Sequence, residues 1–226
     1  MVAFTQRSTR PSRDQPNLHN IPVRSEEGRL FRRAFIPAPG HQLLVADYNQ
    51  IELRCIAHLA HDPGLIEAFN TGVDIHNVTA ARVFSVDPAK VTVEQRSKAK
   101  MVSYGLAYGM EAYGLGQRLA IPTEEAAVIL NAYFEAFPNV KDYMDRTVIE
   151  ARMRGYTETL FGRRRPIPEL SNSNFRIRQA GERQAMNSRI QCLAADIFKV
   201  ALVRIDQAFD DAALASHVVL QVHDEV

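Results

Sequence analysis

The chain has 226 residues, of which 46% are apolar, and a formal net charge of +1. This is enough apolar material for one large domain or two modest ones, and the near-neutral charge creates no global field that would indicate a polyanionic partner. No apolar run approaches the ~18 residues of a membrane span, so the sequence excludes a membrane protein. The two cysteines, Cys55 and Cys192, are far apart, which excludes a disulfide scaffold and predicts free buried thiols. Together these features predict a cytoplasmic protein.

The first fifty residues predict an extended arm followed by a strand. Residues 1–24 are rich in Arg, Ser, Pro and Asn, a composition typical of a segment with little regular structure. Residues 42–47 are a short apolar run that ends in an acid, which predicts a buried strand. Residues 51–59 predict a helix directly after it.

The middle of the chain predicts helices only. One helix is predicted to start at Asp62-Pro63, and a second to run from a cap at Asp74 to about Phe84. A third is predicted from Thr123 to Phe137-Pro138, and a fourth from a cap at Asn139 to Gly155. Residues 92–95, Thr-Val-Glu-Gln, form a capping box that predicts a further helix. These signals place a large helical block in the centre of the chain.

The last third predicts a hairpin, a long helix and a strand. Residues 156–168 predict the hairpin, with its turn at Gly162, and residues 174–213 one long helical stretch. Residues 217–222 predict a strand that is followed by acidic side chains. A helical block between two strand-bearing segments favours the α+β class.

One stretch of the helical block combines cations and aromatic rings at helical spacing. Arg96, Lys100, Tyr104 and Tyr108 are four residues apart, so they share one face of a helix, about 18 Å long. A guanidinium and an ammonium suit phosphates, and a ring suits a base or sugar, so the stripe predicts a nucleoside triphosphate site. The alternative is an amphipathic helix with a solvated basic end. An excess of Arg over Lys, 22 against 5, gives mild support to phosphate binding.

Two acids follow the predicted strands. Asp47 ends the first strand, and Asp224 comes two residues after the second. If the strands are neighbours, these carboxylates form an oxygen-lined site for Mg²⁺ or Mn²⁺. The alternative is that each Asp only terminates its strand, since acids are common at turns.

Three segments resemble the motifs of family A DNA polymerases, of the bacterial DNA polymerase I type. Residues 47–54 (DYNQIELR) resemble motif A, residues 96–109 motif B, and residues 221–225 (QVHDE) motif C. The motifs occur in the family's order and at its distances. The similarity also covers residues 16–22, 74–76, 162–165 and 187–196, and therefore nearly the whole chain.

The resemblance implies a right-hand polymerase fold with an antiparallel palm sheet and a large helical fingers insertion, the thumb and the C-terminal end being missing. Residues 1–57 would be the first part of the palm, residues 58–170 the fingers, and residues 171–226 the second part of the palm. The implied activity is template-directed DNA synthesis, in which a primer 3′-OH attacks a dNTP and pyrophosphate leaves. The implied partners are primer-template DNA and dNTPs, and the implied protein is a monomer, associated with the nucleoid and not with a membrane.

The resemblance also assigns roles to individual residues. Asp47 and Asp224 would bind two Mg²⁺ ions, with Mn²⁺ as a substitute, Glu225 would be an accessory acid, and Lys100 would also donate a proton to pyrophosphate. The residues implied in dNTP binding are Arg96, Lys100, Tyr104, Tyr108, His76, Gln50 and Glu52. Of these, Glu52 would exclude ribonucleotides, and Tyr104 would favour acceptance of dideoxynucleotides. The residues implied in primer-template binding are Arg10, Arg183, Asn187, Gln191, Gln221 and His223.

Two alternative functions stay open, and departures from the family pattern favour the first of them. Asn49 replaces a usual Ser, Arg189 replaces a Pro, and Cys192-Leu193 replaces a pair of small residues close to the DNA. The first alternative is a catalytically incomplete fragment that only binds primer-template DNA. The second is a single-subunit RNA polymerase, which would not be expected to carry the Glu52 gate.

Overall fold

The computed structural model of the protein describes residues 21–22, 25–107, 109–222 and 225–226. These residues form nine α-helices and one antiparallel sheet of two strands. The helices are α1 (Glu26–Arg32), α2 (Ile51–Ala60), α3 (Pro63–Asn70), α4 (Ile75–Val83), α5 (Val93–Ala107), α6 (Ala112–Leu119), α7 (Thr123–Ala136), α8 (Pro138–Arg154) and α9 (Phe175–Asp211), and the strands are β1 (Tyr156–Glu158) and β2 (Arg164–Pro166). The structure therefore supports the predicted class in its coarser form: it is mostly helical, with a small antiparallel sheet.

Local capping signals fix the starts of the central helices, as predicted. The Asp62 carboxylate accepts a hydrogen bond from Leu65 N at 3.0 Å at the start of α3. Ahead of α5, Thr92 N donates to Gln95 Oε1 at 2.9 Å, and Gln95 N donates to Thr92 Oγ1 at 3.2 Å. This reciprocal pair is the predicted capping box, and it satisfies two backbone N–H groups that the helix cannot pair internally.

The predicted cap at Asn139 is wrong. Helix α8 begins one residue earlier, at Pro138, and Phe137 is its N-cap residue. Proline suits the first position of a helix because its fixed φ is helical and it has no N–H to leave unpaired. The Asn139 side chain instead donates to the carbonyl oxygen of His61 at 3.0 Å. The predicted end at Gly155 is confirmed, since this residue has a φ of 74° at the C-cap.

The hairpin after α8 is confirmed. Strands β1 and β2 pair antiparallel, with Thr157 opposite Arg165. Gly162 has a φ of 76°, a left-handed conformation that favours glycine in the turn. Long helix α9 follows, close to the predicted bounds of 174–213.

The prediction of a strand before each of the two acids is wrong. Residues 42–46 and 217–221 form no strand, and Asp47 and Val222 take part only in isolated bridges to Glu225. Strands need a neighbour paired over several residues and a layer that covers their apolar face. The described residues supply neither: Leu44 is 86% exposed and Val219 is 68% exposed.

The chain divides into two compact units, Met1–Asn49 with Ala195–Val226, and Gln50–Ala194. In the second unit, α5 presents Ala99, Val102 and Leu106 to the core. Their spacing of three and four residues forms one helix face, and it leaves the predicted cationic face outside the core. The domain boundaries at residues 57/58 and 170/171 stay a prediction.

The predicted free cysteines are confirmed. Cys55 and Cys192 are both buried, and neither of them forms a disulfide. Burial, with a smaller effect of the Glu52 charge, raises the pKa of Cys55 to about 12, so this thiol is protonated and unreactive at neutral pH. Within the described part of the chain, no helix is both long and apolar enough to cross a membrane.

Candidate active site

The predicted stripe on α5 is present as far as the structure describes it. Arg96 and Lys100 are exposed, and Tyr104 is partly buried one turn further along the same face. The Lys100 Nζ atom lies 6.0 Å from the centre of the Tyr104 ring, at the outer limit of a cation–π contact. The arrangement presents two exposed cations beside an aromatic ring, which suits an anion attached to a planar group.

His76 on α4 joins this cluster from a neighbouring helix. Its ring centre lies 5.7 Å from that of Tyr104, and the residue is only 2% exposed. The pKa of His76 falls to about 4 because burial disfavours the charged ring and because Lys100 and Arg96 repel it, against the opposing attraction of Asp74. His76 is therefore neutral at pH 7, and the positive charge of the cluster is carried by Arg96 and Lys100.

The depressed pKa of His76 predicts a pH dependence of stability. The unfolded chain binds a proton at this histidine below about pH 6.5, whereas the folded chain does so only near pH 4. The free energy of unfolding is therefore expected to fall as the pH drops from 6.5 towards 4, by up to about 3 kcal/mol from this residue. Urea unfolding at several pH values measures it.

A matched pair of variants isolates the contribution of His76. His76→Gln is expected to flatten the profile between pH 6.5 and 4, while His58→Gln, at an exposed position on α2, leaves it unchanged. If both variants keep the slope of the wild-type chain, the buried neutral state of His76 is refuted.

Asp74 links α4 to α5. One of its carboxylate oxygens accepts from His76 N at 2.9 Å, and the other accepts from Arg96 Nε at 2.7 Å. Sequence reasoning identified Asp74 only as a helix cap. Its ion pair was missed because Arg96 is 22 residues further along the chain, and no local signal reports such a contact.

In the other unit, backbone pairing brings the two acidic segments together. Ala46 N donates to Val226 O at 2.8 Å, and Val226 N donates to Ala46 O at 2.9 Å. Asp47 and Glu225 are antiparallel bridge partners. Residues that face each other in an antiparallel pair place their side chains on the same side, with Cβ atoms about 5 Å apart. The acids of the two segments are therefore neighbours, although 178 positions separate them in the sequence.

Tyr48 anchors the first acidic segment to α9. Its ring meets that of Phe198 edge-on, with the ring centres 5.9 Å apart and an interplanar angle of 76°. This geometry is a favourable one for aromatic pairs, and Phe198 is itself buried. The contact holds the backbone next to Asp47, whose own side chain is exposed.

Gln50 and Glu52 occupy the start of α2. Gln50 has a φ of 60°, an uncommon left-handed conformation for a residue other than glycine. Glu52 is 6% exposed, so it is not the solvated helix acid that its position alone would favour. Acidic side chains are rarely this buried, so Glu52 is a candidate functional residue rather than a surface residue.

The predicted DNA-binding side chains of α9 share one helix face. Arg183, Asn187 and Gln191 are four residues apart and all are partly exposed. Arg183 forms an ion pair with Glu111 at 3.3 Å. Gly109, with a φ of 65°, packs against this face so closely that a Cβ would lie 3.1 Å from Arg183 Cβ. The turn that follows α5, at Gly109, thus lies against the polar face of α9.

Three of the residues that depart from the family pattern lie in α9 and pack against their surroundings. Cys192 and Leu193 are each 2% exposed, so their side chains pack in the core. Arg189 forms an ion pair with Glu150 on α8 at 3.2 Å, and its guanidinium lies 5.7 Å from the Tyr143 ring. The effect of these three residues on DNA binding stays a prediction.

Four predicted site residues lie outside the described residues: Arg10, Tyr108, His223 and Asp224. Gln221 is described and is partly buried next to the bridge residue Val222. Among the side chains that the structure describes, no three His, Cys, Asp or Glu residues form a metal-binding group. The metal site of Asp47 and Asp224 stays a prediction, since Asp224 is not among them.

The comparisons with known proteins identify the family. The model of DNA polymerase family A matches residues 2–226. The chain belongs to DNA polymerase family A. The predicted family is therefore confirmed, and the match covers nearly the whole chain.

Curated relatives and a solved structure agree with this assignment. DNA polymerase I of Mycobacterium tuberculosis is 53% identical over 218 residues, which are 96% of this chain and 24% of the relative. DNA polymerase I of Caldicellulosiruptor bescii is 49% identical over 228 residues, which are 100% of this chain and 27% of the relative. The chain thus spans about a quarter of the length of these family A relatives.

The POL domain of Pol1 from M. smegmatis, solved in complex with DNA primer-template and dNTP, is similar in structure. It has a TM-score of 0.90 and is 54% identical, over 96% of this chain and 38% of that one. The likeness therefore extends to the sequence as well as to the fold.

Proposed function

We propose that this family A chain carries the palm and fingers of a DNA polymerase and performs template-directed DNA synthesis. Residues 1–57 and 171–226 would form the palm, and residues 58–170 the fingers. The reaction is attack of a primer 3′-OH on the α-phosphate of a dNTP: the new O–P bond forms, the bond to the β-phosphate oxygen breaks, and pyrophosphate leaves. The solved relative with primer-template and dNTP supports these substrates.

The observation that carries the proposal is the bridge between Asp47 and Glu225. It joins the segments that resemble motifs A and C, which the sequence leaves far apart. The family's reaction needs the acids of both motifs at one place. This pairing and the α5 stripe are the two features that the reaction needs, and together they support the proposal.

The donor set fits a divalent cation. Carboxylate oxygens are the ligands that Mg²⁺ prefers, and the exposed Asp47 lies opposite a second acid. Asp47 and Asp224 would hold the two Mg²⁺ ions, with Glu225 as an accessory acid. When bound, such ions activate the attacking oxygen and stabilise the charge of the leaving one.

The side chains of α5 and α4 bind the triphosphate in this proposal. Arg96 and Lys100 supply two exposed positive charges, and Lys100 is in addition the proton donor to pyrophosphate. His76, neutral and buried, supports the Tyr104 ring and contributes a hydrogen bond rather than a charge. Tyr108 stacks near the templating base.

Selectivity and template binding are assigned to further positions. Gln50 and Glu52 bind the dNTP, and the buried Glu52 excludes a 2′-hydroxyl from its sugar. The residues that line the primer-template are Arg10, Arg183, Asn187, Gln191, Gln221 and His223. Polar groups of this kind check the shape of the minor groove without reading its sequence, because the minor-groove acceptors are shared by all base pairs.

Primer extension on a recessed duplex tests the proposal. The 226-residue chain is expected to extend the primer with Mg²⁺ and the four dNTPs, and to stop when a chelator removes the cation. Salt-dependent DNA binding without any extension would instead support a fragment that only binds primer-template. A preference for ribonucleotides would support an RNA polymerase and would contradict the role of Glu52.

A further inference from the structure

We propose that Asp74 is a positioning residue for triphosphate binding, because its carboxylate fixes the orientation in which Arg96 meets a phosphate. The inference rests on the proposed role of Arg96 as a triphosphate ligand. It adds a residue to the site that none of the motif assignments gave a role in substrate binding. Three bonds of one carboxylate carry it.

The two oxygens of Asp74 act on two different helices. Oδ1 accepts from His76 N at 2.9 Å and from Asn77 N at 3.4 Å, and so caps α4. Oδ2 accepts from Arg96 Nε at 2.7 Å, and so reaches α5. The hydrogen bonds from the backbone of α4 fix the position of the Asp74 carboxylate, and the fixed carboxylate in turn orients the Arg96 guanidinium. One side chain therefore sets the position of both His76 and Arg96.

The contact through Nε orients the Arg96 guanidinium and leaves its two terminal nitrogens for a ligand. A guanidinium has five N–H groups, and Asp74 takes the one on Nε. The other four belong to the two terminal nitrogens, whose fork matches the oxygens of a phosphate. The Arg96 side chain is 45% exposed, so this edge can be reached from solvent.

The ion pair fits a functional role better than a role in folding. Both partners are partly exposed, and ion pairs of this kind contribute little to stability. Ordering a long side chain before the ligand arrives, in contrast, removes part of the entropic cost of binding. Although its partial burial would raise the pKa of Asp74, the hydrogen bonds from Arg96 and from His76 N hold that pKa below its ordinary value, so the carboxylate is charged at neutral pH.

Replacing Asp74 by Asn separates the two tasks of the side chain. Asn is as good a helix cap as Asp, since its carbonyl oxygen accepts from His76 N in the same way. Its amide nitrogen is a donor and cannot accept from Arg96 Nε–H. Asp74→Asn therefore keeps α4 capped and releases Arg96, and Asp74→Ser, another good cap, does the same with a different side chain.

Calorimetric titration of the full chain with a non-hydrolysable dNTP analogue is the test. Asp74→Asn is expected to weaken binding about 5- to 10-fold, the range for loss of one oriented charge-assisted contact. The matched control is Asp87→Asn, since Asp87 caps a 3₁₀ turn by accepting from Ala89 N at 2.8 Å and is exposed. This control is expected to bind like the wild-type chain.

A double-mutant cycle shows whether Asp74 acts through Arg96. In an Arg96→Ala chain, Asp74→Asn is expected to have no further effect, because the group that it positions is gone. An equal loss in both backgrounds would show a general structural effect and overturn the inference. In the extension assay, Asp74→Asn is expected to raise KM for dNTP and to leave kcat nearly unchanged.

The remaining outcomes are separable. If the wild-type chain binds the analogue and both Asp74 variants bind it equally well, the inference fails and the proposed function stands. If both variants bind it more tightly, Asp74 competes with phosphate for Arg96, and the inference is likewise overturned. If the wild-type chain binds no analogue and extends no primer, the proposed function fails and the inference falls with it.

Discussion

Asp47→Ala is expected to lower the rate of primer extension roughly 1,000-fold. The variant removes a carboxylate that would hold a divalent cation, and such a cation stabilises the transition-state charge by several kcal/mol. Each 1.36 kcal/mol corresponds to a factor of ten in rate. Single-turnover extension of a labelled primer, with the chain in excess over the DNA, measures the chemical step directly.

Binding of dNTP analogue should survive the same change. Arg96 and Lys100 lie on α5, in the other compact unit, so removal of Asp47 leaves their helix intact. Asp206→Ala is the matched control, since Asp206 is an exposed acid on α9 in the same unit as Asp47. Asp224→Ala is expected to behave like Asp47→Ala. An equal loss of extension and of analogue binding would contradict the division of roles between the acids and the α5 stripe.

The helix caps and the hairpin turn are predicted well from the sequence because residues close together in the chain decide them. Thr92 and Gln95 cap α5 from positions three residues apart, and Gly162 turns a hairpin whose strands are six residues apart. Such signals act within one or two turns of chain, so their outcome depends little on the rest of the fold. The starts of α3, α4, α5, α7 and α8 were therefore predictable within one or two residues, whereas no signal of this kind predicted α6.

What the sequence predicts poorly depends on partners far along the chain. Residues 42–47 have the apolar pattern of a strand, but a strand also needs a paired neighbour, and the described residues offer one only at Ala46 and Asp47. Glu52 is equally instructive: an acid on a helix is usually solvated, and only the packed structure shows it buried. In both cases tertiary context overrides the local preference.

The candidate site shows the same division. The stripe of Arg96, Lys100 and Tyr104 follows from the helical period alone, so it could be read directly. The contact of His76 with Tyr104, and the hydrogen bond from Arg96 to Asp74, form because α4 packs against α5. The motif resemblance had suggested a role for His76, whereas it left Asp74 without one.

Phe137→Ala is expected to lower the free energy of unfolding by about 3–5 kcal/mol. Phe137 is completely buried between α7 and α8, with its ring centre 5.0 Å from that of Tyr133 and 5.2 Å from the Arg82 guanidinium. Truncation removes a large apolar surface and leaves a cavity that the backbone at this corner cannot close. Urea unfolding of the 226-residue chain, followed by circular dichroism, measures the loss.

The functional consequence of Phe137→Ala follows from what Tyr133 touches next. Tyr133 is 1% exposed and lies within hydrogen-bonding reach of Ser103, on the buried face of α5. A looser corner should therefore let α5 move and should weaken dNTP analogue binding as well as stability. Phe161→Ala, at a hairpin position that is 57% exposed, is the control and should cost no more than about 0.5 kcal/mol. A destabilised Phe137→Ala chain that binds the analogue normally would show that the contacts of α5 with α2, α4 and α6 hold it in place without this corner.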